Sequence, residues 1–120
     1  MSIRGVGIDL VKVARLERLV DKWDDEFLNR VFTEEELEYC LTKRRKYEHL
    51  AGRFAVKEAV IKAVGEKLPW KSVEVVSGQN GRPFALVPDD EREAFSPEDM
   101  HVSITHVENY ATAIAILEEK

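Results

Sequence analysis

Alternation and helical periodicity divide the chain into elements before any chemistry is considered. In residues 3–10, "IRGVGIDL", Val6, Ile8 and Leu10 fall on one face and Gly7 and Asp9 on the other. That pattern predicts a strand ending near Asp9, beside two glycines that leave room for something to come close. Residues 11–22, "VKVARLERLVDK", carry Val13, Leu16, Leu19 and Val20 at helical spacing and predict an amphipathic helix. The run "TEEE" from Thr33 is a capping box, opening a helix that continues to about Thr42. The longest helical pattern covers residues 47–64, and Gly65 suits the left-handed position that ends it. Residues 72–87, "SVEVVSGQNGRPFALV", read as two strands around an Asn-Gly turn. A short helix is expected over residues 88–95, and "SPED" is a loop or a helix start. "HVSITH" and "YATAIAIL" then read as strands joined by the turn "VEN". The whole is an α+β pattern with strands at both ends of the chain and no repeat or linker.

Composition narrows the class. A chain of 120 residues suits one domain, 1–120, able to bury roughly two-thirds of its unfolded surface. With 44% hydrophobic and 34% charged residues, it is expected to fold unaided. Cys40 is the only cysteine, which excludes an internal disulfide and polythiolate zinc, and fits a reducing cytoplasm. The N-terminal apolar run contains an acid and lacks a signal-peptide core, and no run approaches the roughly 20 apolar residues of a membrane span. A soluble, unexported protein without membrane attachment is expected. The net charge of −5 argues against a general nucleic-acid binder, so any bound anion must be met by a local patch.

The most informative stretch is "RFAVKEAVIKAVG", residues 53–65. On a wheel of about 100° per residue, Arg53 and Lys57 share a narrow polar strip, while Glu58 and Lys62 lie on the opposite side among Ala51, Ala55 and Gly65. The plain reading of Glu58 and Lys62 is an i,i+4 ion pair on a solvated face. Their small and apolar neighbours point instead to a partly dry groove that another body can enter. Asp9 and Glu58 would supply two hard oxygen ligands, and magnesium commonly takes one or two carboxylates while keeping waters and substrate phosphates. Lys62 would meet a phosphate oxygen as a point charge, with Arg53, Lys57, Arg44, Arg45 and Lys46 adding positive charge nearby. Residue chemistry alone therefore reads as a metal-assisted phosphate site.

Two further features are weaker. In "SITH" the strand ends in two hydroxyls and the His106 imidazole, all able to contact phosphate, whereas His49 and His101 read as ordinary solvated or hydrogen-bonded histidines. Lys12, Arg15, Arg18 and Lys22 form a basic stripe opposite the apolar one on the first helix. A solvated face explains that stripe, and so does an acidic protein partner.

The motifs "GVGIDLVKVAR", "LAGRFAVKEAVIKAVG", "QNGRP" and "HVSITHVENYATA" together resemble the holo-acyl-carrier-protein synthases, the short bacterial members of the 4′-phosphopantetheinyl transferase superfamily. The resemblance spans almost the whole chain in order. It implies an α+β transferase fold, with an antiparallel sheet packed against a long central helix. It implies transfer of the 4′-phosphopantetheine group of coenzyme A to a serine of acyl carrier protein, releasing adenosine 3′,5′-bisphosphate, in fatty acid biosynthesis. A homotrimer with active sites between subunits is also implied. By the same resemblance Asp9 matches a metal-binding aspartate, Glu58 a metal-binding and catalytic glutamate, and Lys62 a pyrophosphate-contacting lysine. Arg53, Gly65, Thr105 and His106 match coenzyme A positions, and Asn80, Gly81, Arg82 and Pro83 match a turn near the nucleotide. Arg15 matches a residue that meets the carrier protein, and Arg18 and Lys22 continue its stripe. Two other classes fit parts of the pattern: a non-catalytic coenzyme A or carrier-protein binding module, and a metal-dependent hydrolase of the coenzyme A pyrophosphate.

Overall fold

The computed structural model describes residues 2–88, 90 and 92–119. Strand β1 (Ser2–Lys12) leads into helices α1 (Val13–Trp23), α2 (Asp25–Val31) and α3 (Glu34–Leu41), and then the long helix α4 (Lys46–Val64). A small hairpin, β2 (Glu74–Ser77) and β3 (Pro83–Leu86), is followed by β4 (Met100–Val107) and β5 (Tyr110–Glu119). The main sheet has the order β1-β5-β4 with both pairings antiparallel, and β2 pairs antiparallel with β3 in a second sheet. Helix α4 packs across all three strands of the main sheet. No helix among the described residues is long and apolar enough to cross a membrane.

The alternation read in β1 is present, but its sides are reversed from the usual sense. Val6, Ile8 and Leu10 are 54%, 64% and 65% exposed, and the glycine side faces the core. A Cβ at Gly5 would lie 1.8 Å from the Ala63 carbonyl oxygen, and one at Gly7 would lie 1.9 Å from that of Ala59. The room left by these glycines is thus filled by the backbone of α4. Strand β5 completes the contact with small residues, since Ala111, Ala113 and Ala115 alternate inward with Leu117 and are all buried. Strand β1 also runs on to Lys12, so Asp9 sits inside the strand rather than at its end.

Other local expectations hold with shifted edges. Thr33 Oγ1 accepts from the Glu36 amide at 3.2 Å, while the Thr33 amide donates to Glu36 Oε1 at 2.8 Å, completing the capping box. Gly65 ends α4 at φ 81°. The Asn-Gly hairpin has shorter strands and a five-residue loop, 78–82, in which Asn80 and Gly81 take φ of 63° and 75°. The helix expected over 88–95 includes Asp89 and Glu91, which lie outside the described residues, and 92–94 form a turn. Helix α2 has no counterpart in the periodicity of the sequence. Asp24, at φ 50° and ψ −128°, separates it from α1 in a positive-φ conformation outside the left-handed helical region, one that L residues rarely adopt.

Gly7→Ala should destabilise the protein by at least about 2 kcal/mol, because a methyl group cannot fit without parting α4 from β1. Urea denaturation of the variant should show a lower midpoint; an unchanged midpoint would contradict this packing.

Candidate active site

Between residues 50 and 64 of α4, every side chain is buried except Phe54, Glu58, Ile61 and Lys62. These four recur at four- and three-residue spacing and form one open strip along an otherwise enclosed helix. Glu58 and Lys62 therefore lie on the accessible edge of α4. Close contact with β1 carries Asp9 to the same edge: Lys62 Nζ donates to Asp9 Oδ1 at 3.3 Å and to the Ile8 carbonyl at 3.0 Å. Thr112 Oγ1 donates to the Asp9 carbonyl at 2.8 Å, tying this part of β1 to β5. The Lys62 side chain is 54% exposed, so its ion pair with Asp9 adds little stability and is easily exchanged for an incoming anion.

Glu58 has a partner from outside the helix. Trp70, in a single helical turn after α4, donates its indole N–H to Glu58 Oε1 at 3.1 Å. Its ring meets Phe54 at a centroid distance of 5.8 Å. Among the described residues, no other hydrogen bond reaches the Glu58 carboxylate.

Asp9 and Glu58 line one cleft of about 580 Å³, closed on another side by Lys12, Arg15 and Arg18 of the basic stripe. Leu16, Leu19 and Phe54 give it an apolar lining. Lys22 does not line this cleft, and its ammonium stands 5.2 Å from the exposed Trp23 ring. No group of three or more His, Cys, Asp or Glu suited to a metal occurs among the described residues. A cation here would be held by two carboxylates, a donor set that suits a hard ion retaining waters and phosphates.

Lys57 behaves differently from the expectation that it adds charge to the site. It is fully buried, pairs with Glu36 Oε1 at 2.8 Å, and donates to the carbonyls of Trp70 and Val73. All three of its ammonium hydrogens are thereby used. Burial pulls the Lys57 pKa down, and the Glu36 carboxylate opposes that shift. Glu36 is satisfied in turn by the amides of Thr33 and Val75, each at 2.8 Å. One helix position, about 100° of rotation, separates this structural lysine from Glu58.

The residues matched to coenzyme A positions lie apart from this cleft. Arg53 is buried with its guanidinium 4.1 Å from the centre of the Tyr39 ring; Nη2 donates to Ser77 Oγ at 3.1 Å, and Nε has no partner. His106 approaches the Glu48 carbonyl at 3.2 Å and stands over Gly52. His49 lies beside them, its pKa lowered first by burial and then by Arg53, His106 and Lys43. Strand alternation sends Thr105 and Ser103 to the opposite face of β4 from His106, so "SITH" does not gather its hydroxyls and imidazole at one point. Gly65 terminates α4 with open space around it. Arg82 and Pro83 line a second cavity of about 440 Å³ with His101, and Asn80 and Gly81 form the tip of that hairpin.

A family model described as the 4′-phosphopantetheinyl transferase superfamily matches residues 5–115. The chain belongs to that superfamily. It is 41% identical over 123 residues to the holo-[acyl-carrier-protein] synthase of Halothermothrix orenii, covering 98% of each chain. Its fold matches the holo-[acyl-carrier-protein] synthase structure from Neisseria meningitidis with a TM-score of 0.87, 28% identity, and coverage of 98% and 99%. It matches the Bacillus anthracis enzyme, solved in complex with CoA (3′,5′-ADP), with a TM-score of 0.82, 31% identity and full coverage of both chains.

Within this superfamily fold, sequence reasoning missed Trp70, His49 and Tyr39 as neighbours of the site residues. Trp70 lies 12 residues beyond Glu58, across the end of α4, where no periodicity relates the two. The aromatic character of Trp70 was the only available signal.

Lys57→Met should cost about 3–5 kcal/mol, because it leaves the Glu36 carboxylate buried without a counter-charge. Chemical denaturation would measure the loss; wild-type stability would show that the pair is not required.

Proposed function

We propose that this chain transfers the 4′-phosphopantetheine group of coenzyme A to a serine of apo acyl carrier protein, releasing adenosine 3′,5′-bisphosphate. The observation that carries this reading is the shared cleft: Asp9 and Glu58 face the basic residues Arg15 and Arg18 across one space, with Lys62 held beside Asp9. A phosphate-handling edge and a cationic docking edge in one cleft suit two substrates, a pyrophosphate and an acidic carrier protein. The named relatives and the coenzyme A complex of the Bacillus anthracis enzyme support the same chemistry. The whole chain, 1–120, is read as one such domain, acting in fatty acid biosynthesis in the cytoplasm.

In the proposed mechanism the carrier serine attacks the β-phosphorus of coenzyme A in line. The new serine O–P bond forms as the bond to the bridging pyrophosphate oxygen breaks. Glu58 accepts the serine proton, and its place on the open strip of α4 gives the hydroxyl access. Lys62 turns from Asp9 to the leaving phosphate oxygen and stabilises the charge that develops there. Asp9 and Glu58 would hold Mg²⁺, which when bound supplies positive charge to the pyrophosphate. Arg15 and Arg18, with Lys22 further along the stripe, would orient the carrier's acidic surface over the cleft, so much of the rate comes from positioning.

The outward apolar face of β1 supports a homotrimer. Val6, Ile8 and Leu10 form a row that a second copy can cover. Such packing would bring coenzyme A residues from different subunits, among them Arg53, His106 and the 80–83 turn, around one ligand. Light scattering should report a trimer for the native protein and a smaller species for Ile8→Asp; a native monomer with full activity would remove this assembly from the mechanism.

The transfer itself is read by intact mass. Apo acyl carrier protein incubated with this protein, coenzyme A and magnesium should gain one phosphopantetheine group, and EDTA should abolish the gain. Coenzyme A binding without any mass change would favour the non-catalytic module. Coenzyme A cleavage without the carrier would favour the hydrolase.

A further inference from the structure

Trp70 touches both faces of α4 through different atoms. Its main-chain carbonyl accepts from Lys57 Nζ at 2.9 Å, and its indole N–H donates to Glu58 Oε1 at 3.1 Å. Lys57 and Glu58 are consecutive, so they leave the helix in directions about 100° apart. One is fully buried against Glu36, and the other lies on the open strip. The Trp70 backbone is thus fastened to the interior while its ring lies along Phe54 and ends on the carboxylate. The short turn holding it is closed by a bond from the Val73 amide to the Trp70 carbonyl at 3.2 Å and one from Ser72 Oγ to the Pro69 carbonyl at 2.7 Å.

We propose that Trp70 is a positioning residue for the transfer reaction, acting through Glu58. A glutamate on an open helix strip samples several rotamers, and a general base must meet its proton within hydrogen-bond reach. The indole N–H engages Oε1, which fixes the carboxylate plane and leaves Oε2 as the oxygen presented to the serine hydroxyl. A donor on Oε1 also fixes which oxygen does the work. The buried Glu36–Lys57 pair serves the same end, because its ammonium anchors the carbonyl from which the indole is aimed. This inference rests on the reading of Glu58 as the group that accepts the serine proton.

The test separates the N–H from the ring. Trp70→Phe keeps an aromatic ring against Phe54 and keeps the carbonyl that Lys57 holds. Replacement of Trp70 by benzothienylalanine, whose sulfur stands where the indole N–H was, preserves the shape more closely still. Both should lower kcat by about tenfold, the scale of one hydrogen bond to a charged group, with unchanged KM for coenzyme A and for the carrier protein. A loss of packing alone would leave the benzothienyl protein at wild-type kcat, and that result would overturn the proposal.

An NMR readout is independent of turnover. The chain has two tryptophans, Trp23 and Trp70, so the indole N–H signals are assigned with Trp23→Phe. In Glu58→Ala the Trp70 signal should move upfield while the Trp23 signal stays; an unmoved Trp70 signal would overturn the bond itself. Glu58→Gln distinguishes the underlying reading. If it abolishes turnover while the benzothienyl protein is unimpaired, only the positioning role falls. If it turns over normally, the Glu58 assignment falls and the role of Trp70 with it.

Discussion

The backbone of α4 rests on β1 at a distance that only glycine permits, with the Ala59 and Ala63 carbonyls occupying the places where side chains at Gly7 and Gly5 would stand. Two consequences spread from this contact. Beside Gly5 and Gly7 the inward side belongs to the helix backbone, and so Val6, Ile8 and Leu10 form an outer face, while Val11, past the glycines, turns into the core. Asp9, two residues past Gly7 on the same side, is set beside the open strip of α4, within reach of Lys62. The strand's glycines therefore shape the candidate active site indirectly, by setting how close the helix comes.

The second organising interaction lies under the helix. Glu36 begins as a local device, the return arm of a capping box, yet its carboxylate also receives Lys57 and the Val75 amide. A buried pair of this kind is a poor source of net stability, since desolvation offsets the attraction. Its value here is geometric. It fastens α3, α4 and the turn at Trp70 to one another in a single register, and that turn delivers the indole to Glu58. A fully satisfied polar cluster in the interior and a charged strip at the surface thus stand one residue apart on the same helix.

The candidate site is divided. Asp9, Glu58 and Lys62 gather in one chain, next to the cationic face of α1, whereas Arg53 with His106 and the 80–83 turn occupy other parts of the surface. Buried Arg53, whose Nε has no hydrogen-bond partner, lies with His49 and His106 in a second group of polar side chains around α4 and β4, where burial first and Arg53 second lower the His49 pKa. The uncovered face of β1 offers a physical means of joining such parts, because association through it would juxtapose surfaces that one chain keeps apart.

Local rules were enough to read much of this protein. The capping box at Thr33, the left-handed stop at Gly65, the Asn-Gly turn and the alternation of β1 and β5 depend on neighbours a few residues away, and the residue order carries them directly. Helix spacing also placed Glu58 beside Lys62, and motif order pointed to the superfamily. What spacing could not supply was the direction in which each face looks. Alternation shows that Val6, Ile8 and Leu10 lie together, but only the packed helix decides that they lie outside. Likewise Lys57 and Glu58 are both charged residues on one helix, and nothing local distinguishes the buried strut from the open carboxylate. Partners distant in the chain make that distinction: Glu36 draws Lys57 inward, and Trp70 meets Glu58 at the edge. Residue order determined which chemical groups this protein possesses and the elements that carry them, whereas the close contact of helix and sheet decided which of those groups meet.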